Sequence, residues 1–303
     1  MKISGTTRLI GIIGYPITHS FSTIIHNHAF RLTGLDLCYV PFEVKREATE
    51  QAVKGLAALG VLGVNVTVPH KESVIPFIDS LDDSARTAGA VNTIIFRDGT
   101  TRGMNTDVDG FLAAWDEDVR EPHEGAHVAI IGTGGSARAV YHALCRRNVR
   151  RITLLSRKRE RAEALHSHFS SVHRSVEREI SIISEDRSVG GDFSDCTAIV
   201  NCTPLGMVKY QHQVPLRLPA GLSRSCVLFD LVYNPLETQF MKDGKALGLR
   251  AFNGLGMLLH QGARSFREWT SREFPMGDVR QYLQGYLSEY FQEKTDKERK
   301  EMK

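Results

Sequence analysis

The segment Gly132-Thr133-Gly134-Gly135-Ser136-Ala137 constrains this 303-residue chain most, because it follows an apolar run, His127 to Ile131, and opens a helical pattern, Ser136 to Arg147. Strand, glycine turn and helix in that order are the context in which a Gly-x-Gly-x-x-Ala match carries meaning. Gly132 permits the tight turn, Gly134 lets backbone approach a pyrophosphate, and Ala137 lets the helix pack closely on the strand. The first N–H groups of the helix then face the phosphates, where the macrodipole favours negative charge. A glycine turn that binds nothing shares this local pattern, so its surroundings must decide. Thr133, Gly135 and Ser136 complete the candidate loop.

The next strand, Arg151 to Leu155, should end beside the adenosine ribose. An NAD site usually places Asp or Glu there. This chain instead reads Ser156-Arg157-Lys158-Arg159-Glu160-Arg161. Cations at that point fit a 2′-phosphate through charge-assisted contacts, so the expected cofactor is NADP. A solvated basic helix start is the competing use of the same residues.

Elsewhere the chain alternates short apolar runs with amphipathic ones. Leu9 to Gly14, Cys38 to Val44 and Gly63 to Val68 read as strands, with helices at Phe21 to Leu32 and Glu47 to Leu59 closed by Gly34 and Gly60. Ala90 to Phe96 and Thr101 to Asn105 flank Arg97-Asp98-Gly99-Thr100 as a hairpin. The polar stretch Asp116 to Gly125 is an internal boundary candidate. Beyond the glycine turn, strands are expected at Glu179 to Ile183, Ala198 to Cys202, Val227 to Leu231 and Arg250 to Phe252, then helices near Gly256 to Trp269 and Val279 to Glu293. Ser170 to Asp195 is polar and irregular. This order predicts an α/β protein of two domains, each with a mostly parallel sheet, the second of Rossmann type.

Composition narrows the classes. A formal charge of +3 gives no argument for nucleic acid or membrane partners. No apolar stretch approaches the roughly 20 residues needed to span a bilayer. The run Leu9 to Tyr15 is too short for a secretory signal, and Glu293 to Lys303 reads as a frayed, solvated helix end. Five scattered cysteines (Cys38, Cys145, Cys196, Cys202 and Cys226) form no Cys-x-x-Cys pair, which suits a reducing cytoplasm.

Four further motifs fall at or just after the carboxyl ends of expected strands, where ligands bind in open α/β sheets. They are His19-Ser20-Phe21-Ser22, Asn65-Val66-Thr67-Val68-Pro69-His70-Lys71, Ala90-Val91-Asn92-Thr93 and Asn105-Thr106-Asp107. Hydroxyls, amides, one lysine and one carboxylate suit a small, anionic, hydroxyl-rich substrate. Singly, Ser20 and Ser22 also suit helix capping, Asn92 a turn, and Lys71 an exposed surface. A lysine can move the proton that accompanies hydride transfer at an alcohol carbon. Spacing alone does not bring Lys71 and Asp107 together.

These motifs, with His26-Asn27, Gly110-Phe111, Asn201-Cys202-Thr203-Pro204-Leu205-Gly206-Met207, Asp230-Leu231-Val232-Tyr233-Asn234-Pro235 and Asn253-Gly254-Leu255-Gly256-Met257-Leu258-Leu259-His260-Gln261, resemble the shikimate dehydrogenase family from Gly14-Tyr15-Pro16 to Gln261. The resemblance implies reversible NADPH-dependent reduction of 3-dehydroshikimate to shikimate, on the route to chorismate and aromatic amino acids. It makes Lys71 the acid/base and Asp107 the residue that orients it and binds a substrate hydroxyl, so that both belong to the substrate site. Ser20 and Ser22, assisted by Tyr233, would take the substrate carboxylate, and Thr67, Asn92 and Gln261 its ring hydroxyls. Arg157 and Arg161 would clamp the 2′-phosphate, with Ser156 and Lys158 beside them, while Thr203, Met207, Leu231, Gly254 and Met257 would lie along the cofactor. It also implies a discontinuous first domain, residues 1–107 plus 255–303, around a dinucleotide domain of 108–254, in a monomer or homodimer.

Thr23 stands where relatives commonly have proline, and Ser156 and Lys158 replace the common Asn and Thr around Arg157. Three rivals remain at this point. They are an NAD-preferring quinate/shikimate dehydrogenase, a catalytically silent paralogue, and a metal site built on His166, His168 and His173, whose spacing does not share one helical face. His70 is assigned no role.

Overall fold

The computed structural model describes residues 3–18, 20–120, 124–173 and 175–301, with side chains as far as Gln292. His19, residues 121–123 of the polar stretch, and the side chains of the charged tail lie outside the described residues.

The first sheet holds β1 (Arg8–Gly14), β2 (Leu37–Glu43), β3 (Gly63–Val66), β4 (Ser80–Leu81), β5 (Thr93–Arg97) and β6 (Thr100–Met104), in the order β2-β1-β3-β5-β6-β4. β1 pairs parallel with β2 and β3, and β4 with β6; β3–β5 and β5–β6 are antiparallel. The hairpin turns at Asp98 and Gly99, whose φ values of 51° and 73° match the twist of the flanking strands. Helices α1 (Ser22–Leu32), α2 (Thr49–Ala58), α3 (His70–Ser73) and α4 (Asp83–Ala88) cover this sheet's connections. Strand β3 ends two residues earlier than expected, since Thr67 and Val68 turn toward Pro69.

Helix α5 (Asp107–Asp118) follows and was not anticipated. It absorbs the first three residues of the polar stretch at 116–125. Its buried Val108, Phe111, Leu112 and Trp115 recur at helical spacing. The second sheet then comprises β7 (His127–Ile131), β8 (Arg151–Ser156), β9 (Glu177–Ile182), β10 (Ala198–Asn201), β11 (Val227–Asp230) and β12 (Arg250–Asn253). All neighbours are parallel in the order β12-β11-β10-β7-β8-β9, so the chain reverses direction across the sheet between β7 and β10. Helices α6 (Gly135–Arg146), α7 (Arg159–Ser170) and α8 (Gln239–Ala246) make the crossovers and connections around it. Strand β9, expected over 179–183, starts two residues earlier and ends one earlier within the otherwise irregular stretch.

Helices α9 (Leu255–Thr270) and α10 (Met276–Glu301) return to the first sheet. Leu258, Leu259, Phe266 and Trp269 of α9 join Val279, Leu283 and Leu287 of α10 in one core with Ile10, Ile12 and Phe30. Met257, at the start of α9, belongs to the core of the second sheet with Phe111, Trp115 and Phe229. Two glycines let α5 and α9 approach. A Cβ on Gly110 would lie 2.7 Å from Gln261 Cβ and 2.8 Å from its backbone nitrogen, and one on Gly256 would lie 3.3 Å from Ala114 Cβ. Gly110→Ala should therefore force the helices apart and cost about 1–3 kcal/mol. Urea denaturation of the variant measures this, and unchanged stability would show that the crossing relaxes freely. Among the described residues no helix is long and apolar enough to cross a membrane.

Candidate active site

A cavity of about 290 Å³ lies at the carboxyl ends of the strands. All eight expected substrate residues line it: Ser20, Ser22, Thr67, Lys71, Asn92, Asp107, Tyr233 and Gln261. Six expected cofactor residues, Ser136, Thr203, Met207, Leu231, Gly254 and Met257, line the same cavity from the second sheet. Gly132, Thr133, Gly134, Gly135 and Ala137 instead build the turn from β7 into α6, and Ser156, Arg157, Lys158 and Arg161 the end of β8 and start of α7. The last four are not part of the cavity wall.

Lys71 is placed by the short turn α3. Its backbone carbonyl accepts from Val91 N at 2.7 Å. The preceding His70 is fully buried, with Nε2 against Val44 O at 2.7 Å and Nδ1 against Thr49 Oγ1 at 2.9 Å. Burial pushes the His70 imidazole below its ordinary pKa. Sequence reasoning gave this residue nothing to do; it pins the turn that carries Lys71.

Lys71 Nζ donates to Asp107 Oδ2 at 2.5 Å, their side chains 12% and 6% exposed. Taking two charges this far from water is costly unless each is paired and further hydrogen-bonded. Both conditions hold. Asp107 sits in the first turn of α5, where the helix dipole favours a carboxylate. Its Oδ1 accepts from Asn92 Nδ2 at 2.9 Å. Asn92 is oriented by Thr106, whose N–H donates to Asn92 Oδ1 at 2.7 Å. The same amide reaches Gln261 Oε1 at 3.3 Å, linking α9 to the ion pair.

Beneath this layer lies a buried polar network that the sequence did not single out. Asn65 accepts from Tyr39 Oη at 2.7 Å and donates to Thr93 Oγ1 at 3.2 Å and Ser265 Oγ at 3.1 Å. Ser265 Oγ also lies 3.1 Å from Thr106 Oγ1. Satisfied buried networks of this kind hold side chains rigidly. On the other wall, Asp230 accepts from Asn201 Nδ2, Val232 N and Thr238 Oγ1 at 2.8, 3.0 and 2.6 Å. Burial raises its pKa to about 6, against the three donors that lower it. Asn201 Oδ1 in turn accepts from Thr203 N and Oγ1, which fixes the loop beside the cavity.

Ser20 Oγ accepts from Ser22 N at 3.3 Å at the start of α1, whose N-cap is Phe21, and both serines line the cavity. Thr23 Oγ1 donates to Ser20 O at 3.4 Å. Tyr233 packs on Phe21 with ring centroids 5.6 Å apart, and burial lifts its phenol above the ordinary pKa. Burial also pushes the Cys202 thiol above its ordinary pKa.

The glycine turn has the shape a dinucleotide requires. Gly132 has φ +107°, closed to most side chains, and a Cβ there would meet Thr203 Cγ2 at 3.1 Å. A Cβ on Gly134 would meet nothing within 4 Å, so backbone is open to a ligand there. Helix α6 has no side-chain cap and no acidic residue in its first turn, which leaves its N–H groups for phosphate oxygens. The fully buried Ala137 seats the helix on the sheet. At the ribose end, Ser156 Oγ accepts from Lys158 N at 3.1 Å and donates to Lys158 O at 3.0 Å. That turn presents Arg157, Lys158 and Arg161 to solvent; among the described residues no carboxylate pairs with them.

The three histidines at 166, 168 and 173 go to separate partners: Tyr141 Oη and Glu179 O, Thr87 O, and His142 Nδ1. They do not converge on one point.

Comparison with known proteins supplies the lineage. Residues 12–94 match the shikimate dehydrogenase substrate binding domain, 117–185 the shikimate / quinate 5-dehydrogenase model, and 254–284 the shikimate 5'-dehydrogenase C-terminal domain. The shikimate dehydrogenase (NADP(+)) of Symbiobacterium thermophilum is 40% identical over 277 residues, covering 91% of this chain and 93% of that protein. The chain belongs to the shikimate dehydrogenase family. A crystal structure of a shikimate dehydrogenase in complex with NADP+ superposes with a TM-score of 0.85 at 36% identity, over 94% of this chain and 98% of that one. The Listeria monocytogenes shikimate 5-dehydrogenase, crystallised with shikimate and NAD, gives 0.82 at 31% identity over 93% and 98%. The superpositions cover more than nine-tenths of each chain, so the fold described above is shared along nearly its whole length.

Proposed function

We propose that this chain is an NADP-dependent shikimate dehydrogenase, catalysing the reversible reduction of 3-dehydroshikimate to shikimate on the route to aromatic amino acids. The observation that carries the reading is the Lys71–Asp107 ion pair, buried in the wall of a cavity that the dinucleotide loop also borders. The division that goes with it is 1–107 plus 255–303 for substrate and 108–254 for the dinucleotide, supported by the two sheets and by the packing of α9 and α10 on the first.

The nicotinamide supplies the hydride when bound. The chain's own groups do the rest. Lys71 Nζ gives a proton to the substrate oxygen during reduction and takes it back during oxidation. Asp107 Oδ2 holds that nitrogen in place, and its other oxygen, supported by Asn92, remains beside the substrate hydroxyls. Ser20, Ser22 and Tyr233 receive the carboxylate, and Thr67, Asn92 and Gln261 the ring hydroxyls. The N–H groups of α6 hold the pyrophosphate, and the unpaired Arg157 and Arg161 the 2′-phosphate.

The test of the reading is an assay of shikimate and quinate, each against NADP and NAD. Shikimate with NADP should give the highest kcat/KM, and a preference for quinate or NAD would overturn the corresponding part. Replacing Arg157 and Arg161 together by Gln should lower kcat/KM for NADP about a hundred- to ten-thousandfold while changing that for NAD little, since each arginine makes a charge-assisted contact only to the phosphate. Equal losses with both dinucleotides would remove these arginines from phosphate recognition.

A further inference from the structure

The first turn of α6 and the turn α3 grip each other at three points between the two sheets. A Cβ on Gly135 would stand 2.6 Å from Lys71 Cβ and 3.0 Å from its Cδ, so the glycine leaves room for the lysine stem. Lys71 Nζ donates to Ser136 Oγ at 3.2 Å in addition to Asp107 Oδ2. One residue beyond Lys71, Glu72 Oε2 accepts from Arg138 Nε at 3.1 Å, with the arginine side chain 17% exposed. The loop read from sequence as a phosphate cradle is therefore also a wall against Lys71.

A lysine ammonium has three N–H donors at the end of a flexible stem. One hydrogen bond to Asp107 fixes the position of Nζ but leaves the group free to turn about that bond. A second, to a hydroxyl carried by the opposite sheet's helix, removes that freedom. The remaining N–H is left for the cavity that Lys71 lines. We propose that Ser136 is a positioning residue for proton transfer, its hydroxyl fixing the direction in which Lys71 presents its third N–H, so that this direction is set when the glycine turn is seated on α3. The inference rests on Lys71 being the acid/base of the proposed reaction.

Its competing use is a hydrogen bond from Ser136 to the dinucleotide, and the two leave different kinetic signatures. The experiment compares the full-length enzyme with Ser136→Ala and Ser136→Thr, measuring shikimate oxidation by NADP in H2O and D2O. The alanine variant should lose about tenfold in kcat, with KM for both substrates within about twofold of the parent, as expected when an interaction serves only the chemical step. Its solvent isotope effect on kcat should increase, and the threonine variant should recover most of the loss. A raised KM for NADP at unchanged kcat would give the hydroxyl to the dinucleotide and overturn the proposal. So would an unchanged kcat, or equal losses in the alanine and threonine variants. A parent enzyme inactive on shikimate would overturn the functional reading, and this inference with it. An active parent with an indifferent alanine variant would overturn the inference alone.

Discussion

Lys71→Ala enzyme should turn over shikimate about a hundred- to ten-thousand-fold more slowly than its parent, while still binding shikimate. The size follows from the chemistry. Hydride leaves or arrives at a carbon whose oxygen must lose or gain a proton, and among the cavity's charged groups Lys71 is the cation held by a hydrogen-bonded buried carboxylate. Binding should persist because the hydrogen bonds of Lys71 Nζ go to Asp107 and Ser136, and not to the serines, Tyr233, Thr67 or Gln261. The alanine does leave Asp107 buried without its cation, which carries its own cost. Lys71→Gln also removes the cation but keeps an N–H donor for the buried carboxylate, so it lessens that cost without restoring a transferable proton. Both variants should be slow, with the glutamine one more stable to urea. Steady-state kinetics and calorimetric titration with shikimate check this, and near-normal turnover of either variant would defeat the mechanism.

How far the site was legible depends on how local each part is. The glycine turn, the strand before it and the helix after it are contiguous, so their order could be read directly, and Gly132 and Ala137 do what their types require. The motifs around Ser20, Lys71, Asn92 and Asp107 were placed at strand ends by apolar periodicity, which is also local. The meeting of Lys71 and Asp107 was not readable by that route, because it depends on α5, whose apolar positions at 108, 111, 112 and 115 went unread beside a polar boundary. Asn65 stands in the motif that ends at Lys71 without a role of its own, and its partner Ser265 is 200 residues away. The grip of Gly135, Ser136 and Arg138 on Lys71 and Glu72 depends on how two sheets face each other. No single-segment pattern encodes that placement. Family resemblance supplied the roles that local chemistry could only permit.

Acid should destabilise the protein through a residue that the reaction does not use. His26 is fully buried, its two ring nitrogens have no hydrogen-bond partner among the described residues, and it stacks on Tyr39 with ring centroids 4.5 Å apart, beside Phe266, Trp269 and Phe274. Burial among uncharged rings lowers its pKa from 6.5 to about 3. Above pH 6.5 the imidazole is neutral in both folded and unfolded chains, and its contribution to stability is intact. Below that pH the unfolded chain takes up a proton that the folded core refuses until about pH 3. Stability therefore falls with acid across this window by about 1.4 kcal/mol per pH unit for this one group. Between pH 7 and 5 the loss is about 2 kcal/mol, a large share of the margin of a typical fold. His142, lowered to about 4 chiefly by burial, adds a loss of the same sign. His26→Leu isolates the first contribution, because any packing cost of leucine is the same at both pH values and cancels in the difference. Urea unfolding at pH 7 and pH 5 should show the leucine variant losing about 2 kcal/mol less than the parent. Parallel losses in the two proteins would show that the imidazole finds water or a proton in the folded state.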